Sequence, residues 1–185
     1  MSTLPDPSTN LTGADREAYD RMASARAHAE GRAQIGDVYV AMFNNPGVAA
    51  KVGALGEHLR FHATLPDDVR ELIILRFAAQ HQSGYEWSHH QRPARLAGVD
   101  QDVIDELTTG ALPAIEDSSR AALQAVDAIV GGGSIPADVQ ERFTAVHGND
   151  GIVELVVLCG LYSTMRYMVN AFDIEIEDGL PSPPF

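Results

Sequence analysis

The chain has 185 residues, 45% of them hydrophobic, enough for one domain with a real core. Its net charge of −13, from 26 acidic against 13 Lys plus Arg side chains, repels phosphate backbones and anionic lipid surfaces, so neither nucleic acid nor membrane partners are expected. One cysteine, Cys159, forbids a disulfide within the chain and any two-thiol redox cycle in one subunit.

The opening MSTLPDPSTN and the closing DGLPSPPF combine Pro, Ser and polar residues with almost no periodic apolar signal. Residues 1–11 and 178–185 are therefore expected as flexible arms around a single domain at 12–177. Ala14 to Glu30 is rich in Ala, Arg and Glu and predicts a helix stopped by Gly31. Asp37 to Phe43 predicts a short second helix, ended by Asn44-Asn45-Pro46. From Gly47 to Phe61, Val48, Val52, Leu55 and Leu59 recur at spacings of three and four, which predicts one buried stripe, with His58 and His62 one turn apart near its end. Pro66 suits a first helical position, and Val69, Leu72, Ile73, Ile74, Leu75, Phe77 and Ala78 after it make a helix apolar nearly all round, expected at the centre.

Ser83-Gly84-Tyr85-Glu86 has the form of a capping box, the Ser oxygen covering one orphan amide while Glu86 reaches back to another. The helix it starts runs to Leu96 and is closed by Gly98, and Pro93 inside it predicts a kink and a spare acceptor at the His89 carbonyl. Asp102 to Leu107, Ser118 to Val130 and Pro136 to Val146 are amphipathic, and Gly151 to Phe172 is the most apolar helix of all. No stretch sustains the two-residue alternation of a strand, so the fold class is all-α. The longest apolar run, Ile152 to Leu161, is interrupted by Glu154 and falls short of a bilayer span, and the N-terminus has neither a basic start nor an apolar stretch. A soluble cytoplasmic protein is expected. The apolar excess of the last helix suits either a core helix or a subunit interface in a homo-oligomer.

The densest group of reactive side chains is His81-Gln82-Ser83-Gly84-Tyr85-Glu86-Trp87-Ser88-His89-His90, with three of the seven histidines and the only tryptophan. Glu86 and His90 stand one turn apart on one helix face, and Tyr85 and His89 form a second such pair. A carboxylate beside an imidazole fixes its tautomer and supports proton transfer near neutral pH. Glu71 enters from the preceding helix, and its approach to Glu86 depends on packing that spacing does not fix. Each residue also has a plain structural reading. Glu86 would be the N3 member of a cap, Glu71 a solvated helix charge, His90 a satisfied core histidine, and Tyr85 and Trp87 packing residues. His58 and His62 have metal-ligand spacing but no accompanying HExxH pattern or cysteine set, so no metal is expected. Cys159 in its apolar helix reads as a buried, inert thiol.

Arg70-Glu71-Leu72-Ile73-Ile74-Leu75-Arg76-Phe77-Ala78-Ala79, then Tyr85-Glu86-Trp87, His90, Ala94, Ala97-Gly98-Val99 and Ile104, resemble the core of the carboxymuconolactone decarboxylase family, within the alkylhydroperoxidase D-like superfamily. The motif core covers residues 66–107, and Tyr162 to Phe172 resembles the end of longer members. The resemblance implies a compact all-helical domain of the alkylhydroperoxidase D-like type with an N-terminal helical extension. The peroxidase branch pattern of a glutamate, two cysteines and a histidine aligns with Glu71, Ser83, Glu86 and His90. With both thiols absent, peroxide reduction through sulfenic acid and disulfide has no basis here. The decarboxylase branch resembles this chain in having a glutamate four residues before the histidine, as in Glu86 and His90.

That resemblance implies a cofactor-free decarboxylase for a small carboxylated unsaturated lactone or related cyclic acid. His90 would deliver the proton, Glu86 would orient it, and Glu71 would shape the field. Tyr85, Trp87 and His89 would contact substrate, with Arg76, Arg92 or Arg95 as partner for its carboxylate. Two alternatives stand beside it: a non-catalytic ligand-binding or oligomeric scaffold, and a metal enzyme using Glu86, His89 or His90 with His58 or His62. A thiol peroxidase ranks last.

Overall fold

The computed structural model describes residues 2–30 and 35–185, the side chains of 26–30 excepted. Within them lie α1 (Gly13–Glu30), α2 (Asp37–Met42), α3 (Pro46–Phe61), α4 (Asp67–His81), α5 (Gly84–Leu96), α6 (Gln101–Leu107), α7 (Asp117–Val130) and α8 (Ala137–Ala171). No strand occurs among the described residues, as the lack of two-residue alternation predicts. The stop assigned to Gly31 lies outside them. The chain divides into two compact units, Met1–His62 with Thr164–Gly179, and Ala63–Ser163 with Leu180–Phe185.

In the first unit, α1 and α2 pack on α3. The Asn45 side chain caps α3 by accepting from the Val48 amide at 3.3 Å, and Pro46 opens the helix where its missing N–H costs nothing. The stripe expected on α3 is rotated. Val48 and Leu55 are 47% and 39% exposed, whereas Ala49, Gly53, Gly56 and Leu59 are buried. The reason is steric: a Cβ at Gly53 would collide with the Met22 methyl, so small residues set how closely α1 approaches. The N-terminal segment, expected as a free arm, is tied down. The Thr3 amide donates to the Phe172 carbonyl at 2.8 Å, Asn44 to the Pro5 carbonyl at 3.0 Å, and Arg16 to the Ser8 carbonyl at 2.9 Å. These bonds satisfy backbone groups that no helix serves.

In the second unit, α4 packs against α5, α6 and α7. Every residue from 69 to 78 is buried, which agrees with its apolar run and also encloses Arg70, Glu71 and Arg76. Leu72, Leu75 and Ala78 of α4 meet Trp87, Ala94, Val99, Ile104, Leu107 and Leu123 in one core cluster. Asp67 and Asp68 occupy the first turn of α4, where the helix dipole favours acids. At its other end Gln82 takes a left-handed conformation, φ 50°, and the Ser83 amide bonds back to the Ala78 carbonyl at 2.8 Å. This tight reversal lays α5 alongside α4. Pro93 lies inside α5 without ending it.

The helices expected at Pro136 to Val146 and Gly151 to Phe172 meet within α8 at a single non-helical residue, Gly148, with φ 66° and ψ −178°. That conformation is nearly exclusive to glycine. Beyond it, the Glu154 carboxylate accepts from the Thr64 and Leu65 amides at 2.9 and 3.0 Å and so anchors the entry to α4. Ile152, Leu155, Leu158 and Leu161 of α8 are buried, and Val153 and Val156 are exposed, so the helix serves the core and leaves an apolar face open. Taken whole, α8 has the length and composition to cross a membrane, although its longest uninterrupted apolar run is short. The C-terminal tail, also expected to be free, rests the Phe185 ring edge-on to Trp87 at 5.6 Å.

Candidate functional site

Glu71 comes from the middle of α4, where burial on all sides leaves it 1% exposed. Burial pushes its carboxyl up, but the His90 ring and the Arg70 guanidinium together outweigh that and hold it below the ordinary glutamate range. The two oxygens divide the work. Oε2 lies 2.7 Å from Nδ1 of His90, and Oε1 accepts from Nη2 and Nε of Arg70 at 3.1 and 3.3 Å. Arg70 in turn bonds Asp67 at 2.7 Å. An ionised carboxylate can only accept, so Nδ1 of His90 carries a proton, and whenever the ring is neutral its lone pair lies on Nε2. The Tyr162 hydroxyl, from α8, stands 2.9 Å from that nitrogen and donates to it. The two rings meet edge to face, 5.2 Å apart at 84°.

Glu86 sits in the first turn of α5, 2% exposed. The capping box is not formed. Ser83 occupies the N-cap position without bonding an amide, and its hydroxyl donates instead to Oε2 of Glu86. A buried carboxylate is the stronger acceptor, and this hydroxyl is its side-chain donor, while Oε1 has no partner among the described residues. Burial pushes the carboxyl above the ordinary glutamate range, only partly offset by the Ser83 hydroxyl. The expected pairing of Glu86 with His90 is likewise replaced. Both ring nitrogens of His90 are taken by side chains from other helices, Glu71 of α4 and Tyr162 of α8, and the residue that orients the imidazole is Glu71.

Tyr85 and His89 do meet as their spacing predicts, with rings stacked 4.2 Å apart and His89 Nδ1 donating to the Tyr85 carbonyl at 2.8 Å. Trp87, expected to contact substrate, is placed in the core cluster, 2% exposed. Arg76 is not available for a substrate carboxylate. It grips Asp127 through two bonds of 2.7 Å and donates to the carbonyls of Gly110 and Ala111 at 3.1 and 3.0 Å. Arg92 and Arg95 are exposed on α5. His58 on α3 and His62 just past its end are exposed with ring centroids 6.4 Å apart, and among the described residues no three His, Cys, Asp or Glu side chains gather as a metal site. Cys159 is buried, and that burial pushes its thiol up to about 12.

Sequence reasoning passed over Arg70 and Tyr162 as site residues. Arg70 carried a weak signal as the neighbour of Glu71, since only a long side chain can fold back to an adjacent helical position. Tyr162 lies 72 residues from His90 and had no local signal at all.

Residues 46–128 match the model of the Carboxymuconolactone decarboxylase family. No curated protein matches the sequence. Among solved structures, the alkylhydroperoxidase AhpD core of an uncharacterized peroxidase-related protein from Ralstonia eutropha JMP134 is similar, with a TM-score of 0.79 at 17% identity over 96% of this chain and 93% of that one. The debrominase Bmp8, solved as a single-residue variant in complex with 2,3,4-tribromopyrrole, is similar with a TM-score of 0.74 at 15% identity, covering 91% and 90%. A protein of unknown function from Agrobacterium tumefaciens gives 0.64 at 22% identity, covering 72% and 93%. At such identities the likeness is one of fold. The helical architecture agrees with these folds, residues 46–128 are similar to the carboxymuconolactone decarboxylase family, and the single cysteine leaves the chain without a thiol pair.

Proposed function

We propose that this protein is a cofactor-free acid/base enzyme, a decarboxylase of a small carboxylated unsaturated lactone or related cyclic acid. The observation that carries the reading is the Glu71–His90 contact at 2.7 Å, a buried carboxylate that fixes the tautomer of an imidazole and supports its charge. Loss of carbon dioxide from a carboxylate conjugated to a lactone carbonyl leaves a dienolate, which must be stabilised at oxygen and protonated at carbon. The His90 imidazolium, supported by Glu71, supplies the proton. Burial pushes the Glu86 carboxyl up, and in its protonated form it would donate a hydrogen bond to the developing enolate oxygen, a role usually worth about 3 kcal/mol of barrier. With Arg76 committed to Asp127, the substrate carboxylate falls to Arg92 or Arg95. A soluble cytoplasmic homo-oligomer is the setting that composition suggests.

The test is carbon dioxide release from a panel of carboxylated lactones and cyclic unsaturated keto acids. We expect turnover by the native protein and a loss of about a hundred-fold or more in His90→Gln. Unchanged turnover in that variant removes His90 from the chemistry. Retained ligand affinity with no product from any compound would favour the non-catalytic scaffold.

A further inference from the structure

We propose that Tyr162 is the group that exchanges the proton with substrate, and that His90 acts through it. The inference rests on the acid/base reading of the site and adds to it a catalytic residue from α8, outside the segment matched to the family. Each imidazole nitrogen has a single hydrogen or lone pair to offer. Nδ1 is spent on Glu71 at 2.7 Å and Nε2 on the Tyr162 hydroxyl at 2.9 Å, so the ring reaches a third group only by breaking one of these bonds. Two helices besides its own hold it there, and its side chain is 13% exposed. A phenolic oxygen, in contrast, has one hydrogen and two lone pairs, and it can bond His90 and a substrate at once.

The order of carboxylate, imidazole and hydroxyl is that of a catalytic triad with a phenol in the terminal place. In the protonated state Nδ1–H bonds Glu71 and Nε2–H bonds the Tyr162 oxygen, which turns the phenolic hydrogen toward the reacting carbon. The C–H bond forms as the phenolic O–H breaks, and the Nε2 proton moves onto the phenolic oxygen. Neutral His90 and intact Tyr162 remain, and solvent restores the imidazolium. Run in the neutral state, the same relay lets Nε2 accept the phenolic proton, which makes Tyr162 an activated oxygen nucleophile.

That second property gives a test that needs no substrate. Native protein and His90→Gln are treated with N-acetylimidazole at neutral pH and acetylation is read at each tyrosine by mass spectrometry, with Tyr162→Phe confirming the assignment. Tyr167, 66% exposed, is the internal standard. We expect Tyr162 to acetylate about ten-fold faster than Tyr167 in the native protein and to lose that advantage in His90→Gln. A native Tyr162 no faster than Tyr167, or equally fast in both proteins, overturns the inference whether or not any lactone is turned over. Once a substrate is in hand, Tyr162→Phe should lower kcat by about a hundred-fold with little change in KM, and adding His90→Gln should cost little more. Native turnover in Tyr162→Phe also overturns it.

Discussion

The Glu71 carboxylate and the His90 imidazole stand nineteen residues apart in sequence and 2.7 Å apart in space, on two helices joined by two residues, of which Gln82 is left-handed. The same carboxylate neutralises buried Arg70. Glu71→Gln keeps the shape and removes the charge, leaving Arg70 to its ion pair with the exposed Asp67 carboxylate. We expect about 3 kcal/mol lower stability, together with a hundred-fold loss of turnover as His90 loses support for its charge. The depressed carboxyl of Glu71 contributes stability above the ordinary glutamate range, and that contribution is lost as pH falls through its lowered value. Thermal unfolding followed into acid should show this loss in the native protein and not in the variant; parallel curves would contradict it.

Glu86 carries the opposite sign. Because its folded value is raised by burial, its contribution is present below the ordinary glutamate range and fades as pH rises through the raised value. Glu86→Gln has no such titration. The melting temperature of the variant relative to the native protein should climb from acid toward neutral pH, and a difference independent of pH would show that the carboxyl is not destabilised by burial.

Arg76 is 1% exposed and satisfies Asp127 and two carbonyls in the segment after α6, those of Gly110 and Ala111. Arg76→Met removes all four bonds of a buried side chain and leaves part-buried acceptors behind, at a cost of about 3 kcal/mol in denaturant unfolding. Asp127, whose side chain is 31% exposed, should cost less when changed to Asn. Substrate affinity in a folded Arg76 variant should be near native, since this arginine serves the scaffold; a large KM effect with native stability would restore it as a carboxylate anchor.

Cys159 should resist thiol reagents in the folded protein. Its thiolate is scarce, with the thiol pushed up to about 12, and the residue is 3% exposed. Stoichiometric labelling is expected only on unfolding, and Cys159→Ala should keep native turnover. Rapid labelling of the native protein, or loss of activity in the variant, would bring thiol chemistry back into consideration.

Much of this fold was readable because the signals were local. The apolar run of α4, the start of a new helix at Ser83-Gly84, the absence of alternation and the two separate helical stretches within α8 each follow from residues within a few positions of one another. The motif core also drew attention to Glu71 and His90, which the fold brings within 2.7 Å of each other. The α3 stripe comes out rotated because hydrophobic spacing counts Val and Leu, whereas the close contact of α1 through Met22 needs the missing side chain of Gly53, and Ala49 and Gly56 are buried with it.

The partnerships inside the site were decided elsewhere. A spacing of four residues made a Glu86–His90 pair geometrically open, and a Ser-x-x-Glu pattern made a cap open, but neither can rank these against partners on other helices. A side chain bonds whatever the packed core brings within about 3 Å. Once α4, α5 and α8 close around it, the imidazole is better served by Glu71 and Tyr162, and Ser83 turns to the stranded Glu86 carboxyl. The sequence by itself determined which residue types were present and which helices would carry them. Only the tertiary structure decided which acid holds the histidine, because a buried charge takes the partner that best offsets its lost solvation, however far away in the chain that partner lies.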